Sequence, residues 1–324
     1  MLLPALGKAR KAGRLTTCLS NQKQFAVATG SYAASFHDRL WTFSWPGGQP
    51  CPTQFPDLVG PHGTDLEGAT AQAVDILRRR AGRDDFPWIE NWIPQILYNH
   101  IVLQDFLAQR LPEPMVACPE DKLRLEWQRD YQAFDAGQIM PLAPDQGTDR
   151  GKRWPYSTSY ECIPAAFTQD RGDPPGYSSV TQAGTHRYYQ FTNPQRMSGA
   201  FGKRVLTEVH FPSNKVHLYE TYTRHFGRQG HYYALTQARS ALTFFDGSVR
   251  VKATADAGRG FNPATPASPF AMTYALIPGE WEEPIPGLGF NPPASLTVFG
   301  YFRWTRGGLR GSDFGGEIKT NTWN

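Results

Sequence analysis

LTTCLSNQKQFAVATGSYAASF, residues 15–36, decides the fold. Its apolar and small residues fall at Cys18 and Leu19, Phe25 and Ala26, Tyr32 and Ala33, then Phe36, with Gln22 and Thr29 filling the intervening turns. That is one stripe at the helical period. Carried back toward the amino end, it predicts one long helix over roughly residues 3–37. Pro4 is tolerated early or at a kink, Gly7 and Gly13 weaken the first turns, and the pattern stops at His37-Asp38 before Trp41. The second half of the helix is expected to bury Leu15, Leu19, Phe25, Ala26, Tyr32 and Phe36.

Working outward, residues 44–63 read as an extended loop, and Thr64-Asp65-Leu66-Glu67 is a capping box that opens a helix to about Arg80. A second helical stretch is predicted from Asp84 to Arg110, interrupted at Pro87 and Pro94. Residues 112–155 form an excursion with a short amphipathic piece, Asp121 to Ala136. From Tyr156 the pattern turns strand-like. Val205–His210 and Lys215–Glu220 read as two strands joined by a Pro-Ser-Asn turn, and residues 241–245 and 248–252 flank Asp246-Gly247, a hairpin signal expected as a type I′ turn. Gly, Pro and aromatic loops return over 258–324, with Ser295 to Trp304 as a late strand. The organisation is a helix over 1–40, a helical and loop insertion over 41–155, an antiparallel sheet over 156–257 and an extension over 258–324, together one domain. Helix first and antiparallel sheet late is α+β by element order.

The chain has 324 residues, of which 40% are hydrophobic and 13% aromatic, ample for a core. Charged residues are 19%, while 31 Gly and 27 Pro imply long ordered loops. Lys plus Arg less Asp plus Glu is 33 − 29 = +4, which excludes nucleic-acid binding driven by bulk charge. Lys8, Arg10, Lys11, Arg14 and Lys23 make the amino end basic. No window has the run of apolar residues a membrane helix needs, and Met1-Leu2-Leu3 is too short for a signal peptide's apolar region. Cys18, Cys51, Cys118 and Cys162 form no CxxC motif and permit two disulfides in three connectivities.

Motifs that carry chemistry are sparse. His186, His210, His217, His225 and His231 raise the question of a metal, and His210 with His217 could face each other across adjacent strands, but ordinary polar histidines are the simpler reading. Glu280, Glu282, Glu283 and Asp246 offer carboxylates without a defined separation, and Cys118 before Pro119 has no evident activating partner. No GxSxG, HExxH, Walker or GxGxxG context occurs. No catalytic, cofactor or metal residue is therefore assigned. The nine tryptophans, Trp41, Trp45, Trp88, Trp92, Trp127, Trp154, Trp281, Trp304 and Trp323, fit small cores beneath loops or a stacking face for carbohydrate.

The run Leu2-Leu3-Pro4-Ala5-Leu6-Gly7-Lys8-Ala9-Arg10, then Cys18-Leu19-Ser20-Asn21-Gln22-Lys23-Gln24, then Tyr32-Ala33, resembles the type IV pilin-like proteins. The similarity is to the pseudopilins related to the type II secretion G type that abound in planctomycete-like bacteria. Ala117-Cys118-Pro119-Glu120-Asp121 and the Phe244–Val249 hairpin look like further family segments. Two family histidines fall here at Thr236 and Ser248, and the family's leader and apolar front half-helix do not precede Leu2. The resemblance implies a pilin-like fold, a long amino-terminal helix packed on an antiparallel sheet. It also implies an assembly helix carrying Leu6, Leu15, Leu19, Phe25, Tyr32 and Phe36. Its partners would be other pilin or pseudopilin subunits, with the inner membrane joining them if an apolar segment lies upstream of Met1, and neither cofactor nor nucleic acid is expected. An envelope location implies at least one disulfide, Cys51 with Cys118 first and Cys18 with Cys118 second. The rival expectation is an extracytoplasmic binding module, which calls for a groove lined by several tryptophans; an enzyme comes third.

Overall fold

The stripe becomes α1 (Leu2–Ser35), a 34-residue helix in the computed structural model, which describes residues 2–169, 179–191, 201–265, 268–289 and 295–316, with 2–5 as backbone only. The other helices are α2 (Asp65–Ala81), α3 (Lys122–Arg129) and α4 (Tyr131–Asp135). The strands are β1 (Tyr160–Cys162), β2 (Val180–Gln182), β3 (Tyr189–Phe191), β4 (Val216–Glu220), β5 (Tyr222–Thr223), β6 (His231–Tyr232), β7 (Arg239–Phe244), β8 (Val249–Ala253), β9 (Thr273–Leu276) and β10 (Leu296–Phe299). The main sheet has the order β1-β4-β7-β8, antiparallel throughout, while β2-β3, β5-β6 and β9-β10 are two-stranded pairs. The protein is an α+β fold.

The rear half of α1 lies on β7 and β8. Cys18, Gln22, Phe25, Ala28 and Thr29 are buried along one face, spaced as a helix returns to its neighbour. Phe25 meets the Tyr160 and His100 rings edge-on at 5.9 and 6.5 Å. Burying such a ring contributes about 1.5–3 kcal/mol. Gln22 adds a polar clamp: its amide donates to Ala241 O at 3.2 Å and accepts from Thr243 Oγ1 at 2.9 Å. Lys23 Nζ donates to Gly247 O at 2.7 Å, fixing the helix to the hairpin tip. The expected burial is only partly met at the carboxyl end, where Tyr32 is half-buried and Phe36, one residue past α1, is 46% exposed; both rings pack on Phe106 of the insertion.

The insertion builds its own core. Thr64 caps α2 by accepting Glu67 N–H at 3.2 Å, and Gly82, at φ 64°, ends it in the left-handed conformation. Asp65 and Glu67 in the first turn and Arg78 to Arg80 in the last complement its dipole. The expected helix over Asp84 to Arg110 is absent; a 3-10 stretch, Asn99–Phe106, is the regular part. Two prolines interrupt the backbone ladder, and Phe86, Ile89, Trp92, Ile93, Ile96 and Leu97 are buried on no single stripe. The amphipathic piece over Asp121 to Ala136 forms as α3 and α4, divided at Asp130, whose carboxylate accepts Ala133 N–H.

The sheet also corrects its sequence reading. Val205–His210 is not a strand: Leu206–Glu208 is a 3-10 turn, and the segment bridges the chain after α1, with Leu206 N–H on Asp38 O and Leu40 N–H on Arg204 O. β4 instead sits between β1 and β7, buried along its whole length. The hairpin closes with Gly247 N–H on Phe244 O, and Gly247 at φ 77° is its left-handed residue, so Asp246 needs no positive φ and the turn is not type I′. Asp246 Oδ1 accepts from Ser248 N–H and Oγ at 2.9 and 2.6 Å. The late strand ends at Phe299, and Tyr301–Trp304 is a 3-10 turn.

Residues beyond 258 enter the sheet core rather than trailing from it. Arg303, fully buried, pairs with Glu161 of β1, which also accepts from Tyr219, and Lys215 Nζ lies 3.2 Å from Asp313 in a second buried pair. Removing one partner from either pair would leave an uncompensated buried charge.

Candidate functional site

The front half of α1 leaves the body. Residues 6–10 and 12–14 are exposed, and a Cβ placed on Gly7 or Gly13 would meet nothing within 4 Å. Two basic side chains reach back: Lys11 Nζ donates to Gly227 O at 2.5 Å, and Arg14 Nη1 lies 3.2 Å from both Glu120 oxygens. The sequence-predicted assembly face is thereby divided. Leu6 is 48% exposed, Leu15 and Leu19 are half-buried and Phe25 is wholly buried, while Val27 on the opposite face is 56% exposed.

Two clefts flank this scaffold. In the first, Trp127, Trp154 and Trp281 converge with ring centroids 4.8–6.3 Å apart, beside Asp121, Arg124, Arg224 and Glu282. The remaining space is about 40 Å³, enough for a few waters. Burial pushes the Asp121 carboxyl up, but Arg224 and Arg124 hold it at about 2. Glu282 is likewise held at about 2 against burial by His186, at 3.1 Å, and Arg187, at 2.6 Å. These carboxylates are paired anions, poorly suited to proton transfer near neutrality. Trp323 lies outside the described residues.

The second cleft, about 320 Å³, opens at the carboxyl end of α1 between Tyr32, Phe36, Trp45 and Phe106, with Arg39, Gln72 and Asp105 on its rim. Tyr32, Phe36 and Phe106 form an aromatic cluster with centroids 4.5–6.2 Å apart. Sequence reasoning placed Tyr32 and Phe36 on the buried stripe; the groove they line depends on the irregular segment around Phe106.

All four cysteines are free thiols and buried. The expected Cys51–Cys118 bridge is not formed, because Cys51 lies in the insertion's core and Cys118 in the sheet core. Cys162 sits in the sheet core, its thiol facing Ile163 O at 3.7 Å. Cys18 and Cys118, the second expected pair, are brought together, unbridged, with Glu220 and His225. Burial pushes the Cys118 thiol well up and the Glu220 carboxyl up to about 7, the latter partly offset by Arg224. His225 is lowered to about 4 by burial. Among the described residues these four are the ones that could hold a metal, and the sequence reading, which assigned no metal ligand, missed the group. His210 and His217 do not face each other: His210 is exposed beyond the 3-10 turn and His217 is buried in β4 beside Trp41. No helix among the described residues is long and apolar enough to cross a membrane.

No family model, no curated protein and no solved structure matches this chain.

Proposed function

We propose that the chain is an assembly subunit on a pilin-like scaffold, a pseudopilin or minor pilin of a cell-envelope filament or type II secretion pseudopilus. The observation that carries the reading is the division of α1: a rear half clamped to an antiparallel sheet and a front half largely exposed, Leu6, Lys8 and Arg10 among it, that reaches the body through Lys11 and Arg14. A helix of which a third of the length makes few contacts with its own body offers side-by-side packing to copies or relatives of itself. The amino-terminal similarity to pilin-like proteins points the same way. The test is photo-crosslinking of the natural gene product in its own envelope, with the crosslinker at Lys8 or at Val27. A ladder of multimers supports assembly; monomers alone at both positions overturn it.

A second reading, an extracytoplasmic binding module, rests on the 320 Å³ aromatic groove, whose planar rings and polar rim suit a sugar. The three converging tryptophans do not add to it, since they close on one another. Glycan-array binding that Phe106→Ala abolishes, with no multimer ladder, would move the conclusion to this reading.

A further inference from the structure

Cys18 of α1, Cys118 of the Cys-Pro segment, Glu220 at the end of β4 and His225 just beyond β5 come from three separate stretches of chain, yet their ligand atoms all lie within 4.8 Å of one another. Cys118 Sγ stands 3.2 Å from His225 Nε2, which stands 3.9 Å from Glu220 Oε1. Around tetrahedral zinc, with Zn–S of about 2.3 Å and Zn–N or Zn–O of about 2.0–2.1 Å, ligand atoms sit roughly 3.3–3.8 Å apart. Closing the group onto an ion therefore needs movements of no more than about 1 Å. We infer that these four side chains form a zinc site that locks α1 to the body.

An independent observation points to the ligand. Both Glu220 oxygens are buried with no hydrogen-bond partner among the described residues. A buried carboxyl left so is costly unless a cation meets it. A Cys18–Cys118 disulfide would consume the two thiols and leave Glu220 as it is; one divalent ion engages both sulfurs, His225 Nε2 and the Glu220 carboxylate. The surroundings suit thiolates as well: Tyr160 O–H points at Cys18 Sγ from 3.3 Å, Gln22 Nε2 from 4.0 Å, and Glu120 N–H at Cys118 Sγ from 3.5 Å. Two thiolates and one carboxylate around a divalent ion leave one negative charge, and Arg224 lies near enough to act on both Cys118 and Glu220. On binding, the two thiols release their protons to solvent. The S2NO set selects zinc over magnesium or calcium, which take oxygen ligands. All four ligands are buried, so no position is open to substrate and the ion is structural. Among the described side chains of α1, Cys18 is also the first wholly buried one, so the ion sits where the exposed front half meets the body. The site stands independently of the assembly reading.

The experiment is to refold the full chain under reducing conditions with zinc, desalt it, and measure metal by inductively coupled plasma mass spectrometry. One zinc per chain is expected, and cobalt in its place should give the thiolate-to-cobalt charge-transfer band and intense visible absorption of a tetrahedral site. Cys18→Ser and Cys118→Ser should lose stoichiometric zinc while Cys51→Ser and Cys162→Ser retain it, and Tyr160→Phe, which removes a donor to sulfur, should weaken affinity about 10–100-fold. If a serine variant does not fold, the cobalt spectrum of the wild type decides. Wild-type protein that holds no stoichiometric zinc, an octahedral cobalt spectrum, or a Cys18–Cys118 disulfide in protein kept with zinc would overturn the proposal.

Discussion

The two halves of α1 share one continuous helical backbone and differ in what their side chains touch. From Cys18 onward the helix meets the sheet through a buried ring at Phe25, a polar clamp at Gln22 and a lysine at the hairpin tip. From Leu6 to Thr17, about 18 Å of helix at 1.5 Å per residue, the side-chain hydrogen bonds and ion pairs to the rest of the described residues are Lys11 on Gly227 and Arg14 on Glu120. Isolated helices of that length are marginal in water. The front half therefore inherits its order from the rear half. In the proposed assembly reading, it is this half that packs on other subunits.

The comparison breaks most readily at its strongest point. Phe25→Ala should destabilise the protein by about 3–5 kcal/mol, as truncation of a buried ring does, read as the shift in a denaturant midpoint. A change under about 1 kcal/mol would mean that the rear half is not anchored as described.

Acid should act next. His100, which meets Phe25, and His217 in β4 are both lowered to about 3 by burial, with Arg124 and Lys215 adding to the effect, against about 6.5 when unfolded. Because the folded values are depressed, the stability they confer is present above about pH 6.5 and is lost as pH falls toward 3. The slope is about 1.4 kcal/mol per pH unit for each residue. Chemical denaturation from pH 7 to pH 4 checks this, and His217→Gln should reduce the slope.

Gln22→Ala should cost about 1–3 kcal/mol, since Thr243 Oγ1 loses its acceptor within the core. Double-mutant coupling with Thr243→Val sharpens the point by isolating the clamp. At the other extreme, Lys8→Ala should stay within about 0.5 kcal/mol of wild type, as exposed substitutions do. The same substitution at Leu6 should leave thermal unfolding unchanged and reduce crosslinked multimers. Stability loss at either residue would show that the front half packs on the body after all.

The long helix, the α2 cap, the helical character of 121–136 and the Asp246-Gly247 hairpin were legible because each is written in neighbouring residues: a stripe of one period, a capping box, a turn pair. Residues 84–110 and 205–210 misled because their local patterns compete with tertiary partners. In the first, apolar side chains are buried on every side; in the second, residues 38–40 take the hydrogen bonds that a strand partner would have received. Of the two thiol pairings named from sequence, the second, Cys18 with Cys118, is the one that meets; that Glu220 and His225 join them was beyond sequence, since the four have no common motif. The sequence by itself determined the α+β element order and the amphipathic division of the first helix, which are properties of local periodicity. The tertiary structure alone decided where α1 comes free and that Cys18, Cys118, Glu220 and His225 share one place, because those depend on contacts between segments more than two hundred residues apart, each indifferent to spacing along the chain.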